Sequence, residues 1–394
     1  GFTNIDDVGQ AGLEKVFDHW LRGTPGQIRV IKDLRGQVVD FYDTVRPLKP
    51  GQDMVLALDE RIQYFTYRAL KRAMIQHQAR AAAAIVLDAR TGEILALASQ
   101  PGYNPNDRSQ IVPQRTRNHA VSDLIEPGST IKPFVMAKAL DVGVVAADEQ
   151  IDTSPGVLKV GAHLVRDDTN KGVLTLAEII KRSSNVGISK IALRMQPQQM
   201  WSLFHQLGLG RDSGLFMHGE AMGQLRTADT WTAVDQAWAA FGYGVQVNLL
   251  QLARAYVALA NDGALLPLSL FKLDHAPKAE VQVLSAEAAR SVRRMMEAVT
   301  QKGGTAPDAH VPGFSVAGKT GTVHKSGGRG YTLDRYRSLF VGIIPADQPD
   351  MVMVIMVDEP SRGIYYGGKV AAPIFSEVMR QAVRLRNLVP DRSE

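Results

Sequence analysis

The sequence predicts an α/β fold with a largely antiparallel sheet, because strand-like segments near both ends of the chain enclose a helical middle. In residues 81–99, AAAAIVLDARTGEILALAS, two apolar runs flank Thr91-Gly92, a pattern typical of a β-hairpin. The last third contains three further strand-like runs, at FSVAGKTGTVH (314–324), SLFVGIIPA (338–346) and MVMVIMVDE (351–359). We therefore expect the early hairpin and the late strands to belong to one domain.

The middle of the chain is expected to be helical. Asp59 is placed to cap the first of these helices. Segments 174–195 and 249–263 have apolar residues at helical spacing, and the first of them is interrupted by a short break of small residues. A last helix is expected from about Ala372 to Arg386. Before these elements, residues 26–42 indicate another hairpin, and the following RPLKPGQD indicates a linker.

Composition is that of an ordinary globular protein and excludes several chemistries. The 394 residues are 45% hydrophobic and 22% charged, with 45 basic residues scattered among 40 acidic ones for a net charge of +5. No basic arm or stripe is present, so nucleic acid is not an expected partner. The absence of cysteine excludes thiol catalysis and disulfides, and the nine histidines lack metal-ligand spacing. We therefore expect no metal and no cofactor.

The segment EPGSTIKPF (126–134) places a serine and a lysine three residues apart at the start of a predicted helix. Pro133 lacks an N–H, and its ring clashes with the carbonyl four residues earlier, so a helix holds it without strain only in its first turn. The helix should therefore begin at about Ser129 and continue to about Val144. Lys132 lies one turn after Ser129 on the same face. Alone, this pattern also fits a serine N-cap with a nearby surface lysine.

Two further short motifs favour a catalytic interpretation. Ser183-Ser184-Asn185 lies at the helical break, and Lys319-Thr320-Gly321-Thr322 lies on a predicted strand. Each is weak alone, but they follow Ser129 in order, at spacings of 183 − 129 = 54 and 319 − 129 = 190 residues. S-x-x-K followed by an S-D-N-type element and K-T-G is the signature of serine β-lactamases and penicillin-binding proteins. The three motifs together predict acyl transfer through a serine ester.

The resemblance extends over nearly the whole chain. QPGYNPN (100–106), SSNVGISKIA (183–192), FGYGVQV (241–247) and YYGGKVAAPIF (365–375) resemble class B penicillin-binding proteins. The chain is most similar to their division-specific peptidoglycan D,D-transpeptidase, the penicillin-binding protein 3 type of Gram-negative bacteria. It departs from that pattern at Met217-His218, where Phe-Pro is frequent, and at Val323-His324, where a small residue is more usual. Both departures bear on the substrate or inhibitor profile.

The resemblance implies an architecture and a cellular setting. We expect the penicillin-binding transpeptidase fold shared with serine β-lactamases, with a five-stranded antiparallel sheet flanked by helices and a helical subdomain. Residues 51–394 would form this domain, and residues 1–50 would be a small N-terminal remnant of a non-catalytic pedestal domain and its linker. The catalytic domain would be periplasmic and anchored in the inner membrane by an N-terminal helix outside this sequence. Expected partners are a membrane glycosyltransferase and other division proteins.

The same resemblance implies a role for each catalytic residue. Ser129 would attack the carbonyl between the two D-alanines of a stem peptide, and β-lactams would acylate the same hydroxyl. Lys132 would take the serine proton, with its pKa lowered by burial and by the charge of Lys319. Ser183 would relay the proton to the leaving amine, and Asn185 would bind Lys132 or the substrate backbone. The amine of a neighbouring diaminopimelate stem would then attack the ester and form the crosslink.

The resemblance also implies the residues that bind substrate and β-lactams. These are Thr320, Gly321, Thr322, Tyr243, Tyr365 and Tyr366. The threonine hydroxyls would receive the terminal carboxylate, and the glycine would let the strand approach the substrate closely. The backbone N–H groups of Ser129 and Thr322 would form the oxyanion hole. The tyrosines match family positions that line the cleft.

Three alternatives stay open at this point. An elongation-type, sporulation-type or paralogous class B protein would share most of these motifs. A class A β-lactamase would need an E-x-x-L-N element between Asn185 and Lys319, and none is present. A β-lactam sensor would share the serine and lysine but bind without turnover. A penicillin adduct that lasts hours would exclude the β-lactamase, and turnover of a stem-peptide thioester would exclude the sensor.

Overall fold

The computed structural model of the chain describes residues 1–215, 217–327 and 330–393, and within 326–327 and 330–333 it describes the backbone only. These residues form two compact units. Unit 1 comprises residues 1–56 and 103–116 with the described part of 216–218, and unit 2 comprises the other described residues.

Unit 1 consists of short elements and one longer two-stranded ribbon. Its elements are β1 (Phe2–Thr3), β2 (Gly9–Ala11), α1 (Gly12–Val16), α2 (Asp18–Arg22), β3 (Gln27–Lys32), β4 (Val38–Arg46) and α4 (Pro113–Thr116), with a 3-10 turn at Arg108–Gln110. The hairpin predicted within 26–42 is confirmed, because β3 and β4 pair antiparallel. Asp33 closes its turn by accepting the N–H groups of Arg35 and Gln37 at 2.8 and 2.9 Å.

Unit 2 is built on a five-stranded antiparallel sheet in the order β15-β16-β17-β5-β6. Its strands are β5 (Ala81–Asp88), β6 (Ile94–Gln100), β7 (Gln150–Asp152), β8 (Val157–Val160), β9 (His163–Arg166), β10 (Val173–Thr175), β11 (Gln224–Leu225), β12 (Val245–Gln246), β13 (Ala264–Leu265), β14 (Val281–Gln282), β15 (Ala317–Gly327), β16 (Gly330–Ile344) and β17 (Met351–Asp358). The predicted fold class is therefore confirmed. The early hairpin and the late strands share this sheet, and β5 and β17 are buried along their whole length.

Strand β16 begins earlier than the sequence predicted. The apolar run predicted a strand from Ser338, but β16 starts at Gly330. Its first half, which contains polar residues, pairs with the far half of β15, for example Tyr336 with His324. Backbone hydrogen bonds to β15 extend β16 beyond its apolar segment. The hydrophobic pattern of β16 alone could not predict this extension, because the pattern contains no information about the neighbouring strand.

The helices of unit 2 cover both faces of the sheet. They are α3 (Glu60–His77), α5 (His119–Ser122), α6 (Lys132–Asp141), α7 (Leu176–Lys181), α8 (Asn185–Ala192), α9 (Pro197–Gln206), α10 (Ala233–Ala239), α11 (Leu249–Ala260), α12 (Ala286–Thr300), α13 (Gly367–Val370) and α14 (Ala372–Leu385), with 3-10 turns at Gly128–Ile131, Ala228–Thr230 and Pro307–Ala309. The predicted cap of α3 is confirmed, since Asp59 accepts the N–H groups of Arg61 and Ile62. Among the helices in the described ranges, none is long and apolar enough to span a bilayer.

Helix α6 is shorter than the sequence predicted. It ends at Asp141, and not at about Val144. Gly143 follows with φ of +70°, which is the left-handed conformation that glycine adopts just beyond a helix end. The N–H of Val144 then bonds back to the carbonyl of Ala139 at 3.0 Å. The apolar pattern therefore continued beyond the point where the backbone turns.

Strand alternation separates the two faces of β15 and β16. Phe340 of β16, the register partner of Thr320, packs edge-on against Phe375 of α14 with ring centroids 5.2 Å apart. Gly321 is the next residue of β15 and so faces the opposite side of the sheet. There a Cβ on Gly321 would lie 3.1 Å from the methyl group of Thr130. The Ser129 turn therefore lies on the face opposite α14.

Candidate active site

Ser129 lies in the 3-10 turn Gly128–Ile131, which leads directly into α6. Two buried hydroxyls hold this turn: Tyr256 of α11 donates to the carbonyl of Thr130 at 2.6 Å, and Thr130 donates to that of Pro127 at 2.6 Å. From the other side, a Cβ on Gly242 would lie only 2.3–2.6 Å from backbone atoms of Gly128. The serine is therefore presented by a turn that is fixed on both sides.

The ammonium nitrogen of Lys132 is fully buried and is held by the second motif. It donates to the carbonyl of Ser183 at 2.6 Å, to Oδ1 of Asn185 at 2.7 Å and to Oγ of Ser183 at 3.2 Å. Burial lowers the pKa of Lys132 well below its ordinary value, and the positive charge of Lys319 lowers it further. Lys132 is therefore predisposed to be an uncharged amine that can accept a proton.

Lys319 reaches the same hydroxyl from the edge strand β15. Its Nζ donates to Oγ of Ser183 at 2.9 Å and to the carbonyl of Thr320 at 3.0 Å. Burial lowers the pKa of Lys319 to about 7, with a further contribution from the charge of Lys171. Two buried amines thus share one hydroxyl, and like charges this close cannot both be retained without large cost.

Ser183 reaches both lysines because its backbone adopts an unusual conformation. Its φ is +55°, in the left-handed region that non-glycine residues seldom occupy. This places the residue between α7 and α8, with its carbonyl and its hydroxyl both directed at Lys132. Strain of this kind persists only where the surroundings hold it.

Asp167 holds this turn, and it was not among the residues predicted from the sequence. Its carboxylate accepts the hydroxyl of Ser184 at 2.6 Å and the backbone N–H groups of Asn185 and Val186 at 2.5 and 3.1 Å. It thereby satisfies donors at the N-terminus of α8. Its charge also raises the pKa of Lys132, against the effects of burial and Lys319. Asp167 directly follows β9, in the polar segment DDTN (167–170), and no sequence signal distinguishes it from Asp168.

The three residues after Lys319 have different surroundings. Gly321 passes close to the Ser129 turn, because a Cβ at this position would lie 3.1 Å from the methyl group of Thr130. Thr320 places its Oγ1 3.0 Å from Oγ1 of Thr305, and Thr322 accepts the N–H of Gly367 at 3.1 Å. Both hydroxyls therefore have protein partners, and carboxylate binding by these threonines stays a prediction.

The predicted cleft tyrosines fall into two groups. Tyr365 stacks on Tyr336 with ring centroids 3.9 Å apart and lies 4.7 Å from Tyr366, which is 60% exposed. Tyr243 instead packs edge-on against Phe241 at 5.4 Å and lines a separate cavity. Tyr336, in the polar half of β16, joins the first group and was missed because that half was not predicted to be a strand.

The arrangement can transfer an acyl group. It combines a serine on a rigid turn, a buried lysine one helical turn away and a second lysine that shares a hydroxyl with the first. Together with the five-stranded sheet, these features define a serine acyltransferase of the Ser-x-x-Lys class.

Comparison with known families narrows this class. Residues 82–380 match the family described as "Penicillin binding protein transpeptidase domain". Residues 1–56 match the family described as "Penicillin-binding Protein dimerisation domain". The chain belongs to the penicillin-binding protein transpeptidase family.

Individual relatives agree with this assignment. The chain is 43% identical over 394 residues to the probable peptidoglycan D,D-transpeptidase PenA of Neisseria gonorrhoeae, covering 100% of this chain and 67% of that protein. It is 37% identical over 391 residues to the peptidoglycan D,D-transpeptidase FtsI of Escherichia coli K12, covering 99% and 66%. Among solved structures, the apo transpeptidase domain of Burkholderia pseudomallei penicillin-binding protein 3 superimposes on this chain with a TM-score of 0.80 at 40% identity. The match covers 87% of this chain and 100% of the Burkholderia chain.

Proposed function

We propose that the chain is a peptidoglycan D,D-transpeptidase that crosslinks stem peptides through an acyl-Ser129 intermediate and is inhibited by β-lactams. The observation that carries this proposal is the sharing of one hydroxyl, Ser183 Oγ, by the two buried amines of Lys132 and Lys319, at 3.2 and 2.9 Å. Relatives whose printed names are peptidoglycan D,D-transpeptidase support the same reaction.

In the first half-reaction, uncharged Lys132 takes the proton of Ser129 Oγ as the oxygen attacks the donor carbonyl. The new C–O bond forms and the amide C–N bond to the terminal D-alanine breaks. The proton passes from Lys132 through the Ser183 hydroxyl to the leaving amine. Ser183 suits this relay because it accepts hydrogen bonds from both lysines and carries its own proton to donate.

Asn185 orients Lys132 during this transfer. Its Oδ1 accepts the lysine at 2.7 Å, while its Nδ2 donates to the carbonyl of Arg166 on β9 at 3.0 Å. The second bond determines which end of the amide faces the lysine. Asn185 is therefore proposed as a positioning partner of the base. Thr320, Gly321 and Thr322 are proposed to line the donor site, with Tyr365 and Tyr366 at its entrance.

The finer setting is also a proposal. A role in septal synthesis is proposed, and similarity to the relative named FtsI supports it. A membrane glycosyltransferase and other division proteins are proposed as partners. Similarity of residues 1–56 to a dimerisation domain supports a non-catalytic N-terminal part, proposed to end near residue 50. The catalytic domain is proposed to be periplasmic and tethered to the inner membrane.

Mass spectrometry after penicillin treatment tests the chemistry. The chain should gain one drug mass, and digestion should place it on the peptide that contains residue 129. Ser129→Ala should gain none, whereas Ser202→Ala, a matched change on α9, should label normally. An adduct on another peptide would overturn the proposal. Loss of the adduct within seconds would identify a β-lactamase, and a lasting adduct without turnover of a thioester donor would identify a sensor.

A further inference from the structure

A cavity of about 440 Å³ lies at one end of the five-stranded sheet. Four segments of unit 2 form it: the turn between β5 and β6, the residues after α11, one side of α12 and the turn between β16 and β17. Its charged lining residues are Arg90, Asp262, Arg290, Arg293, Arg294 and Asp347. We call it the arginine cavity.

The lining of the arginine cavity has an excess of positive charge. Four arginines stand against two aspartates, which gives a net charge of 4 − 2 = +2. Both oxygens of Asp262 already accept guanidinium groups, Oδ1 from Arg293 at 2.9 Å and Oδ2 from Arg290 at 2.6 Å. Asp347 lies 3.5 Å from Arg392, which is outside the lining. Within the described part of the chain, neither carboxylate forms an ion pair with the other two arginines of the cavity.

Arg293 is a buried arginine that keeps donors available to the cavity. It is only 5% exposed, and its Nε and Nη1 donate to the carbonyls of Ala346 and Leu259 at 3.0 and 2.8 Å. Nη1 also donates to Asp262, so these bonds fix the plane of the guanidinium group. Nη2 makes no hydrogen bond to the residues that the structure describes. A buried donor without an acceptor is costly, so a ligand with acceptor oxygens is favoured here.

Arg90 and Arg294 add two exposed guanidinium groups to the same cavity. The side chain of Arg90, in the turn between β5 and β6, forms no hydrogen bond or ion pair with the described residues. Arg294 follows Arg293 on α12, and its one contact in the described ranges is a long one of 3.4 Å to Oγ of Ser291. Guanidinium groups from a sheet turn and from a helix therefore converge on one space.

The chemistry of this lining favours a phosphate group over a carboxylate. A guanidinium group presents its N–H donors in a planar fork that matches two oxygens of a phosphate. A phosphate monoester has three strong acceptor oxygens and a charge of about −1.5 to −2 at neutral pH, so it can bind several forks at once. A carboxylate has two oxygens and one charge. The cavity also has room for the organic group that carries the phosphate, since one water takes up about 30 Å³.

We propose that the arginine cavity binds a phosphate-bearing anion, held by Arg293 together with Arg90 and Arg294. Two sources share this chemistry, a soluble phosphate ester and the headgroup of a phospholipid. The inference is independent of the proposed reaction, because the lining residues that the structure describes include none from the three motifs.

Isothermal titration of inorganic phosphate into the full chain tests the proposal. Salt is kept at about 20 mM, because higher ionic strength screens exposed charges. The chain is first treated with penicillin, so that phosphate does not bind at Ser129. The unaltered chain is compared with the double variant Arg90→Gln/Arg294→Gln. The matched control, Arg35→Gln/Arg380→Gln, removes the same charge from two exposed positions elsewhere.

We expect one phosphate per unaltered chain, with a Kd of about 1 mM. Arg90→Gln/Arg294→Gln should weaken this binding about tenfold, and the control should change it by less than about twofold. Acetate at the same ionic strength should bind about tenfold more weakly than phosphate. Both changed arginines are exposed, so urea unfolding of the double variant should match that of the unaltered chain.

Glycerol 1-phosphate and lipid vesicles distinguish the two sources. A soluble ester is the ligand if glycerol 1-phosphate binds as tightly as phosphate and phosphatidylglycerol vesicles do not sediment the chain. A phospholipid headgroup is the ligand if these vesicles sediment the chain, phosphatidylcholine vesicles do not, and the double variant alone loses the effect.

Four results would overturn the inference. They are no binding of phosphate to the unaltered chain, an equal loss in the two double variants, equal binding of acetate, and binding of inorganic phosphate without binding of the ester or the vesicles. The last would mean an adventitious ion only. The double variant reports on the cavity whether or not penicillin labels the chain, so failure here is distinct from failure of the proposed function.

Discussion

Strand β15 carries two lysines in contrasting surroundings. The amine of Lys319 contacts a hydroxyl and a carbonyl, both neutral, and burial lowers its pKa to about 7. The amine of Lys325, on the same strand, lies 2.8 Å from a carboxylate oxygen of Asp358 and also binds Glu359. Asp358 in turn accepts Arg337 at 2.9 Å. Lys319 therefore shares its hydroxyl partner with the amine of Lys132. Lys325 instead contacts the carboxylates of Asp358 and Glu359.

The contrast shows how one residue type serves reactivity in one place and stability in another. A buried ammonium with carboxylate partners keeps its proton, because the paired charge offsets the lost hydration. A buried ammonium that faces only neutral acceptors and another cation is destabilised, so its neutral form is favoured. The reactive end of β15 is therefore the end where the lysine contacts a hydroxyl and a carbonyl instead of carboxylates. The following substitutions test this account.

Replacing Lys132 with arginine should have the largest effect. Arginine keeps a positive charge but cannot give up its proton, so it cannot act as a base. We expect the acylation rate by fluorescent penicillin to fall about 10³-fold. Lys325→Arg, which keeps its carboxylate partners, is the matched control and should acylate at nearly the normal rate. Equal rates for the two variants would show that Lys132 is not the base.

Lys319→Gln should have the next largest effect on acylation. The charge of Lys319 lowers the pKa of Lys132, so its removal should raise that pKa and move the rising limb of the pH–rate profile to higher pH. At neutral pH we expect the acylation rate to fall about 10²-fold. Rates measured from about pH 6 to about pH 10 give the profile. If the acylation rate fell equally at every pH and the profile did not move, Lys319 would act only through its hydrogen bonds and not through its charge.

The same variant should alter stability with a defined sign. The pKa of Lys319 is about 7 in the folded chain against 10.5 for an ordinary lysine, so between these values the unfolded state binds more protons. This group therefore lowers stability at neutral pH, and the deficit disappears as pH rises toward 10.5. Relative to the unaltered chain, Lys319→Gln should gain stability at neutral pH and lose that advantage at high pH. Urea unfolding in both ranges measures the difference.

Asp358→Asn should have the smallest effect on acylation, and it should instead lower the stability of the fold. It removes a buried carboxylate from Lys325 and Arg337, so the free energy of unfolding should fall by about 2 kcal/mol. Penicillin acylation should change less than about threefold, because the lysines that share Ser183 are untouched. If Asp358→Asn instead abolished acylation and left the free energy of unfolding unchanged, the assignment of reactivity to the Lys319 end of β15 and stability to the Lys325 end would be wrong.

Much of this molecule could be predicted locally. The hairpin about Thr91-Gly92, the cap at Asp59 and the strands at 338–346 and 351–359 follow from patterns a few residues long, and all are present in the structure. The residues of the three motifs were also selected from sequence, and the structure brings Ser183, Asn185 and Lys319 together with Lys132 or its partners. Their catalytic roles stay predictions.

What was missed depends on distant parts of the chain. Asp167 differs from Asp168 only in that its carboxylate reaches the N-terminus of α8. Tyr336 could be located only once the polar half of β16 was seen to pair with β15. The cavity lined by Glu126, Arg226, Asp235 and Tyr243 likewise requires separate segments of the chain to meet. Local propensity carries no information about such meetings.

The sequence by itself determined which side chains are present for the chemistry, the order of the strands and helices that carry them, and the family to which they belong. Only the tertiary structure decided that two lysines would be buried against one hydroxyl without a carboxylate between them. The physical reason is that a pKa depends on solvation and on nearby charge, and both are set by segments that are remote in sequence.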